Sequence, residues 1–87
     1  MNLEKLRLEI DEVDRQIVKL MEKRLEISRE IAIYKRENHL DICDAERECV
    51  KKNGLERMSD VDKWEFNKPI FEEMIEASKR FQGVQEE

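Results

Sequence analysis

The chain has 87 residues, 45% of them charged, a net charge of −5, two Gly and one Pro. That length supports one domain with a modest core, which would gain from association with another chain. The composition favours helix over sheet, and no basic stripe with interleaved aromatics marks nucleic acid as a default partner.

Glu4, Glu9 and Asp11 interrupt the leading leucines, so no secretory apolar core is expected there, and no run approaches the length of a membrane span. Cys43 and Cys49 lack a C-x-x-C spacing and share the chain with one histidine, His39, so neither a zinc site nor a disulfide framework is expected. His39 reads as a loop residue and the two cysteines as small apolar fillers. Together these features predict a reduced, cytoplasmic protein.

The first helix organises the chain. Leu3, Leu6, Ile10, Val13, Ile17, Leu20, Ile27, Ile31 and Tyr34 keep a 3-4-3-4 spacing, which is the apolar seam of one long amphipathic helix. It is expected over about 2–38, with Asn2 as N-cap and Asn38 as a left-handed C-terminal residue. Such a rod is about 50 Å long at ~1.5 Å per residue, whereas a compact domain of this size has a radius of gyration of only about 12 Å. Its stripe therefore calls for a second chain, most simply in a symmetric homodimer. Where the seam calls for an apolar residue between Leu20 and Ile27, the sequence has Arg24. A guanidinium on a packing seam needs an anion or water.

A second helix is expected over about 44–57, opened by Asp44 as N-cap and an acidic first turn, with Asn53-Gly54 as its weakest point. Between Leu55 and Lys68 the periodicity fades into a loop with one or two helical turns, where Ser59-x-x-Asp62 resembles a capping box. Pro69 suits a first helical turn, so the last helix is expected over about 67–82, with a longer, kinked helix as the alternative. Its face carries Ile70, Phe71, Met74, Ile75, Ser78, Phe81 and Gln82. No internal repeat or low-complexity linker is present, and residues 1–87 read as a single all-α domain.

Arg24, Ser28, Ile31 and Lys35 are spaced i, i+4, i+7 and i+11, so two cations project from one side of the first helix. Their Cα atoms lie roughly 16 Å apart by helical rise, and both side chains can converge on a small dianion. Solvated surface charge is the competing reading, stronger for Lys35 than for Arg24. Arg7 stands about 25 Å up the helix from Arg24 and reaches the same site only from an antiparallel second subunit. Asp44 reads as a helix cap that can also contact a ligand, and Arg47 and Glu48 as first-turn residues. Ser78 and Gln82 are uncharged polar residues on an otherwise apolar face. A Gln there needs hydrogen-bond partners, and a polar ligand is a natural one.

The order Leu6-Arg7-x-x-Ile10-Asp11-x-x-Asp14, Glu22-Lys23-Arg24, Lys35, Asp44-x-x-Arg47-Glu48 and Ile75-Glu76-x-Ser78-x-x-x-Gln82 resembles the all-helical, type II chorismate mutases. The likeness runs from Leu3 to Gln82. It implies an intertwined homodimer of three-helix subunits that converts chorismate to prephenate without a cofactor, on the way to phenylalanine and tyrosine. Position by position, it implies that Arg24 and the Arg7 of a second subunit hold the two carboxylates. Lys35 and Gln82 would donate to the ether oxygen, and Arg47 would reinforce the carboxylate field. Asp44 and Glu48 would meet the ring hydroxyl, and Ser78 would support the ring carboxylate. The segment between the second and third helices is somewhat short and holds Gly54 and Pro69, and no mechanistic use suggests itself for Cys43. Neither end shows a fused domain, as expected of a monofunctional form.

Two other readings compete. Isochorismate pyruvate-lyases share the fold and a cationic pocket; Glu48, Ser78 and Gln82 favour the mutase. A non-catalytic helical dimerisation module would explain the heptads and the charge, yet leaves Arg24 and Gln82 without a role.

Overall fold

A computed structural model describes residues 2–41 and 44–83. Cys43 lies outside the described residues. The described chain forms three helices, α1 (Leu3–Glu37), α2 (Ala45–Met58) and α3 (Val61–Phe81), and no strand. The fold is all-α.

Helix α1 opens as its sequence dictates. The Asn2 side chain accepts from the backbone N–H groups of Glu4 at 2.8 Å and Lys5 at 3.4 Å, satisfying two donors that no helical carbonyl can reach. At the other end the left-handed residue is His39, with φ 56°, and not Asn38, whose φ is −105°. The His39 N–H donates to Arg36 O at 3.3 Å and the Leu40 N–H to Lys35 O at 2.7 Å. This pair of reversed bonds closes the helix with the left-handed residue just beyond the cap. Asn38 instead turns its side-chain amide back onto Tyr34 O at 2.8 Å.

Helix α2 begins at the Asp44 cap, whose Oδ1 accepts from Arg47 N at 2.9 Å, and runs through Gly54 without a break. It ends at Ser59, and only Ser59 and Asp60 separate it from α3. The expected capping box is therefore absent: Ser59 closes α2, and Asp60 stands at the N-cap of α3 without a side-chain cap bond.

Helix α3 starts at Val61, not near 67, and carries Pro69 in its interior. An internal proline costs about 3 kcal/mol through a lost hydrogen bond and a clash with the preceding turn. Anchors on both sides offset that cost. The Trp64 and Phe71 rings stack across the proline with centroids 6.4 Å apart, and Asn67 Nδ2 donates to Ser59 Oγ at 3.0 Å.

The partner order fixes the topology. Lys52 pairs with Glu72 at 3.5 Å and Glu48 with Lys79 at 2.6 Å, so α2 and α3 run antiparallel. Arg24 meets Ser78 and Ser28 meets Gln82, so α1 and α3 run parallel where they touch. Helix α3 packs on both others. Where it meets α1 the buried residues are Ser28, Ala32, Ile75 and Ser78, mostly small side chains that let the backbones approach. Arg29 lies over the Phe81 ring at 4.3 Å from its centroid, sealing the far edge.

The leading part of α1 has no such neighbour. Leu3, Leu6, Ile10, Val13, Ile17 and Leu20 are 41% to 65% exposed. The chain measures 55 × 25 × 19 Å with a radius of gyration of 16.1 Å, well above the roughly 12 Å of a compact chain of this length. Among the described residues no helix is long and apolar enough to cross a membrane.

Candidate active site

A cavity of about 300 Å³ lies against α3 between α1 and α2, within the size range of small-molecule sites. Helix α1 contributes Arg24, Ile27, Ser28, Ile31 and Lys35 to its lining. Asp44, Arg47, Glu48 and Lys51 come from the start of α2, and Ile75, Ser78, Lys79 and Gln82 from α3. The structure thus gathers seven of the eight residues singled out from the sequence. Arg7 is the exception: it is exposed near the start of α1 and does not line the cavity.

Each side chain arrives by a local cause. Arg24, Ser28 and Lys35 share one flank of α1 because their spacing follows the helical turn. Arg24 Nη1 donates to Ser78 Oγ at 2.5 Å, so the guanidinium on the seam is held by a hydroxyl. Gln82 Nε2 donates to the Ser28 carbonyl oxygen at 2.7 Å. The amide that needed a partner therefore finds one in the protein, with a second N–H still to place. Arg36 Nη2 donates to the Gln82 carbonyl oxygen at 2.5 Å, tying the end of α3 to α1. Asp44 caps α2 and lines the cavity at once.

The electrostatics favour an anion. Five cations line the cavity (Arg24, Lys35, Arg47, Lys51 and Lys79) against two carboxylates, Asp44 and Glu48, an excess of three positive charges in an acidic chain. Arg24, Arg47 and Lys51 make no ion pair among the described residues. Lys79 does: its ammonium meets Glu48 Oε1 at 2.6 Å and Glu76 at 3.5 Å. The hydrogen bond to Glu48 raises its pKa above the ordinary value against an opposing effect of burial, with Glu76 adding to the rise. Ile27, Ile31 and Ile75 supply an apolar wall. The arrangement can hold a compact polyanion with an apolar body and aim N–H donors at it.

Sequence reasoning missed Lys51, Lys79 and Arg36. Lys51 follows Arg47 by four residues and Lys79 precedes Gln82 by three, so the helical repeat itself carried the signal. Arg36, pointing at a backbone oxygen, left no such trace. Cys49 is exposed and free on α2, so it is not a core filler. Among the described residues no group of three or more His, Cys, Asp or Glu could hold a metal ion.

Fold and site together define an all-α chain with a cationic cavity lined by all three helices. The chain belongs to the chorismate mutase type II family, whose model matches residues 6–83. No curated protein and no solved structure matches it. Membership supports a function of the chorismate mutase type, acting on chorismate.

Proposed function

We propose that the protein is a chorismate mutase of phenylalanine and tyrosine biosynthesis, with residues 1–87 forming one domain that works as an intertwined homodimer. One observation carries the reading: Arg24, Arg47 and Lys51 face a single cavity without a carboxylate partner among the described residues. Chorismate, a dianion with an apolar ring, matches that charge and the isoleucine wall. The exposed Leu3-to-Leu20 stripe supports the dimer. An antiparallel copy of α1 laid along it would cover the stripe and carry its Arg7 to the cavity. A free Cys49 thiol fits a cytoplasmic location.

The rearrangement is an isomerisation: the ether C–O bond breaks as a C–C bond forms, and no atom enters or leaves. Such a step needs neither nucleophile nor redox group. It needs a flexible substrate held in its reactive conformer and donors aimed at the ether oxygen as negative charge builds there. In this reading Arg24 and the second subunit's Arg7 clamp the carboxylates, with Arg47 reinforcing the field and Ser78 supporting the ring carboxylate. The Lys35 ammonium and the remaining Gln82 N–H meet the ether oxygen, while Asp44 and Glu48 orient the ring hydroxyl.

The test is product analysis with chorismate and, separately, isochorismate, with no metal or cofactor added. Prephenate from chorismate, lost in Lys35→Ala, is the expected result. Salicylate and pyruvate from isochorismate, with no prephenate from chorismate, would move the protein to the lyases. Turnover of neither would favour the dimerisation module.

A further inference from the structure

Glu48 stands on α2 with two cations within helical reach, Lys51 at i+3 and Lys52 at i+4. It pairs with neither. Its Oε1 crosses to α3 and meets Lys79 Nζ at 2.6 Å, while Lys52 is drawn away to Glu72 at 3.5 Å. The Glu48 and Lys79 side chains are 28% and 22% exposed, and both line the cavity. The pair therefore lies at the site wall, where an outward-facing helix clamp would not. Glu76, the other carboxylate near Lys79, stands on the same helix and farther off, at 3.5 Å, so the bond to Glu48 is the one that spans two helices.

We propose that Lys79 is the positioning residue of the Glu48 carboxylate, occupying one oxygen so that the other is presented to the substrate hydroxyl. The proposal rests on the mutase reading given above. Without Lys79 the carboxylate is left to pair along its own helix with Lys51 or Lys52, and nothing ties its orientation to α3. Drawn across to α3, it keeps one oxygen fixed by a charge-assisted bond and the other available as an acceptor. Lys79 thus acts through Glu48 and does not itself hold a substrate carboxylate, the role given to Arg24, which makes no ion pair among the described residues.

A double-mutant cycle tests this. Steady-state kinetics on chorismate are measured for wild type, Lys79→Met, Glu48→Gln and the double variant, with Lys79→Arg as the conservative control and thermal melting for each. Lys79→Met should lower kcat/KM by about tenfold or more, mostly through KM, since the hydroxyl contact is made in bound substrate and transition state alike. Lys79→Arg should recover most of that loss. In the Glu48→Gln background, Lys79→Met should change kcat/KM by less than about threefold. Independent, additive losses would overturn the proposal by showing that Lys79 acts on the substrate directly. So would a Lys79→Met enzyme that melts lower but keeps its KM. A wild-type protein that leaves chorismate unchanged would instead refute the mutase reading, and the role of Lys79 with it.

Discussion

Gln82 and Ser28, 54 residues apart in sequence, are joined by a 2.7 Å hydrogen bond from the Gln82 amide nitrogen to the Ser28 carbonyl oxygen. That bond settles which end of the amide is which, because a carbonyl oxygen accepts only from the NH₂ group. It leaves one N–H of Gln82, a residue of the cavity lining, without a partner in that bond. Arg36 holds the carbonyl of the same residue, so main chain and side chain of Gln82 are both fixed to α1. A donor held this way reaches a reacting oxygen without first being ordered.

Arg24→Leu and Gln82→Leu separate a catalyst from a scaffold. Each puts an apolar side chain on a helix face packed against another helix, and each removes a cavity donor. Stability should hold or rise, because polar sites trade stability for function, while kcat/KM on chorismate falls by about 100-fold or more. Thermal melts and steady-state rates on the same preparations check this. Intact activity in Arg24→Leu would refute the site assignment.

Lys35→Ala should behave still more unevenly. In the proposed role its ammonium acts chiefly on charge present in the transition state, so the loss should appear in kcat at about 100-fold or more. A half-buried surface lysine contributes about 1 kcal/mol or less to folding. Denaturant titration beside turnover measures both, and matched losses in the two would contradict the role.

The Lys79–Glu48 pair gives stability a pH signature. The hydrogen bond to Glu48 raises the Lys79 pKa above its ordinary 10.5. A folded-state pKa above the unfolded one means that the contribution is complete below about 10.5 and is lost as pH rises through the folded value. The stability gap between wild type and Lys79→Met, followed by denaturant titration, should be level up to about pH 9.5 and shrink above about 10.5. A gap that widens with alkali would contradict the pairing.

Gly54 is a removable weakness. It sits inside α2, and a Cβ built there would meet nothing within 4 Å. Gly54→Ala should therefore stabilise the fold by about 0.5–1 kcal/mol by reducing the freedom of the unfolded chain. Kinetics on chorismate should be unchanged, since Gly54 is not on the cavity wall. A lower midpoint in thermal melting would show that the position is less open than its surroundings indicate.

Much of this was legible in residue order. Asn2 and Asp44 cap where their side-chain chemistry demands, and the length of α1 follows from its spacing, although the α1 residues buried against α3 are Ser28 and Ala32 and not the apolar series. Ser78 and Gln82 stood out because polar residues on an apolar face call for partners, and both have one. The start of α3 was not legible. Pro69 is a strong local stop signal, and the contacts that override it, Trp64 with Phe71 and Asn67 with Ser59, depend on packing and chain reversal. Lys79 escaped notice for a different reason: in a chain that is 45% charged, a lysine at the edge of a face looks like solvated surface until its partner on another helix is known.

The central claim is a cavity that rearranges chorismate and is completed by a second subunit, and mixing inactive chains tests it most directly. Arg7→Ala and Lys35→Ala proteins are each assayed alone, then combined in equal amounts under conditions that exchange subunits. If each site takes Lys35 from one chain and Arg7 from the other, a heterodimer restores one of its two sites, and random exchange returns about a quarter of wild-type prephenate formation. Two inactive variants whose mixture stays inactive, despite exchange demonstrated by mass spectrometry, would contradict the shared site.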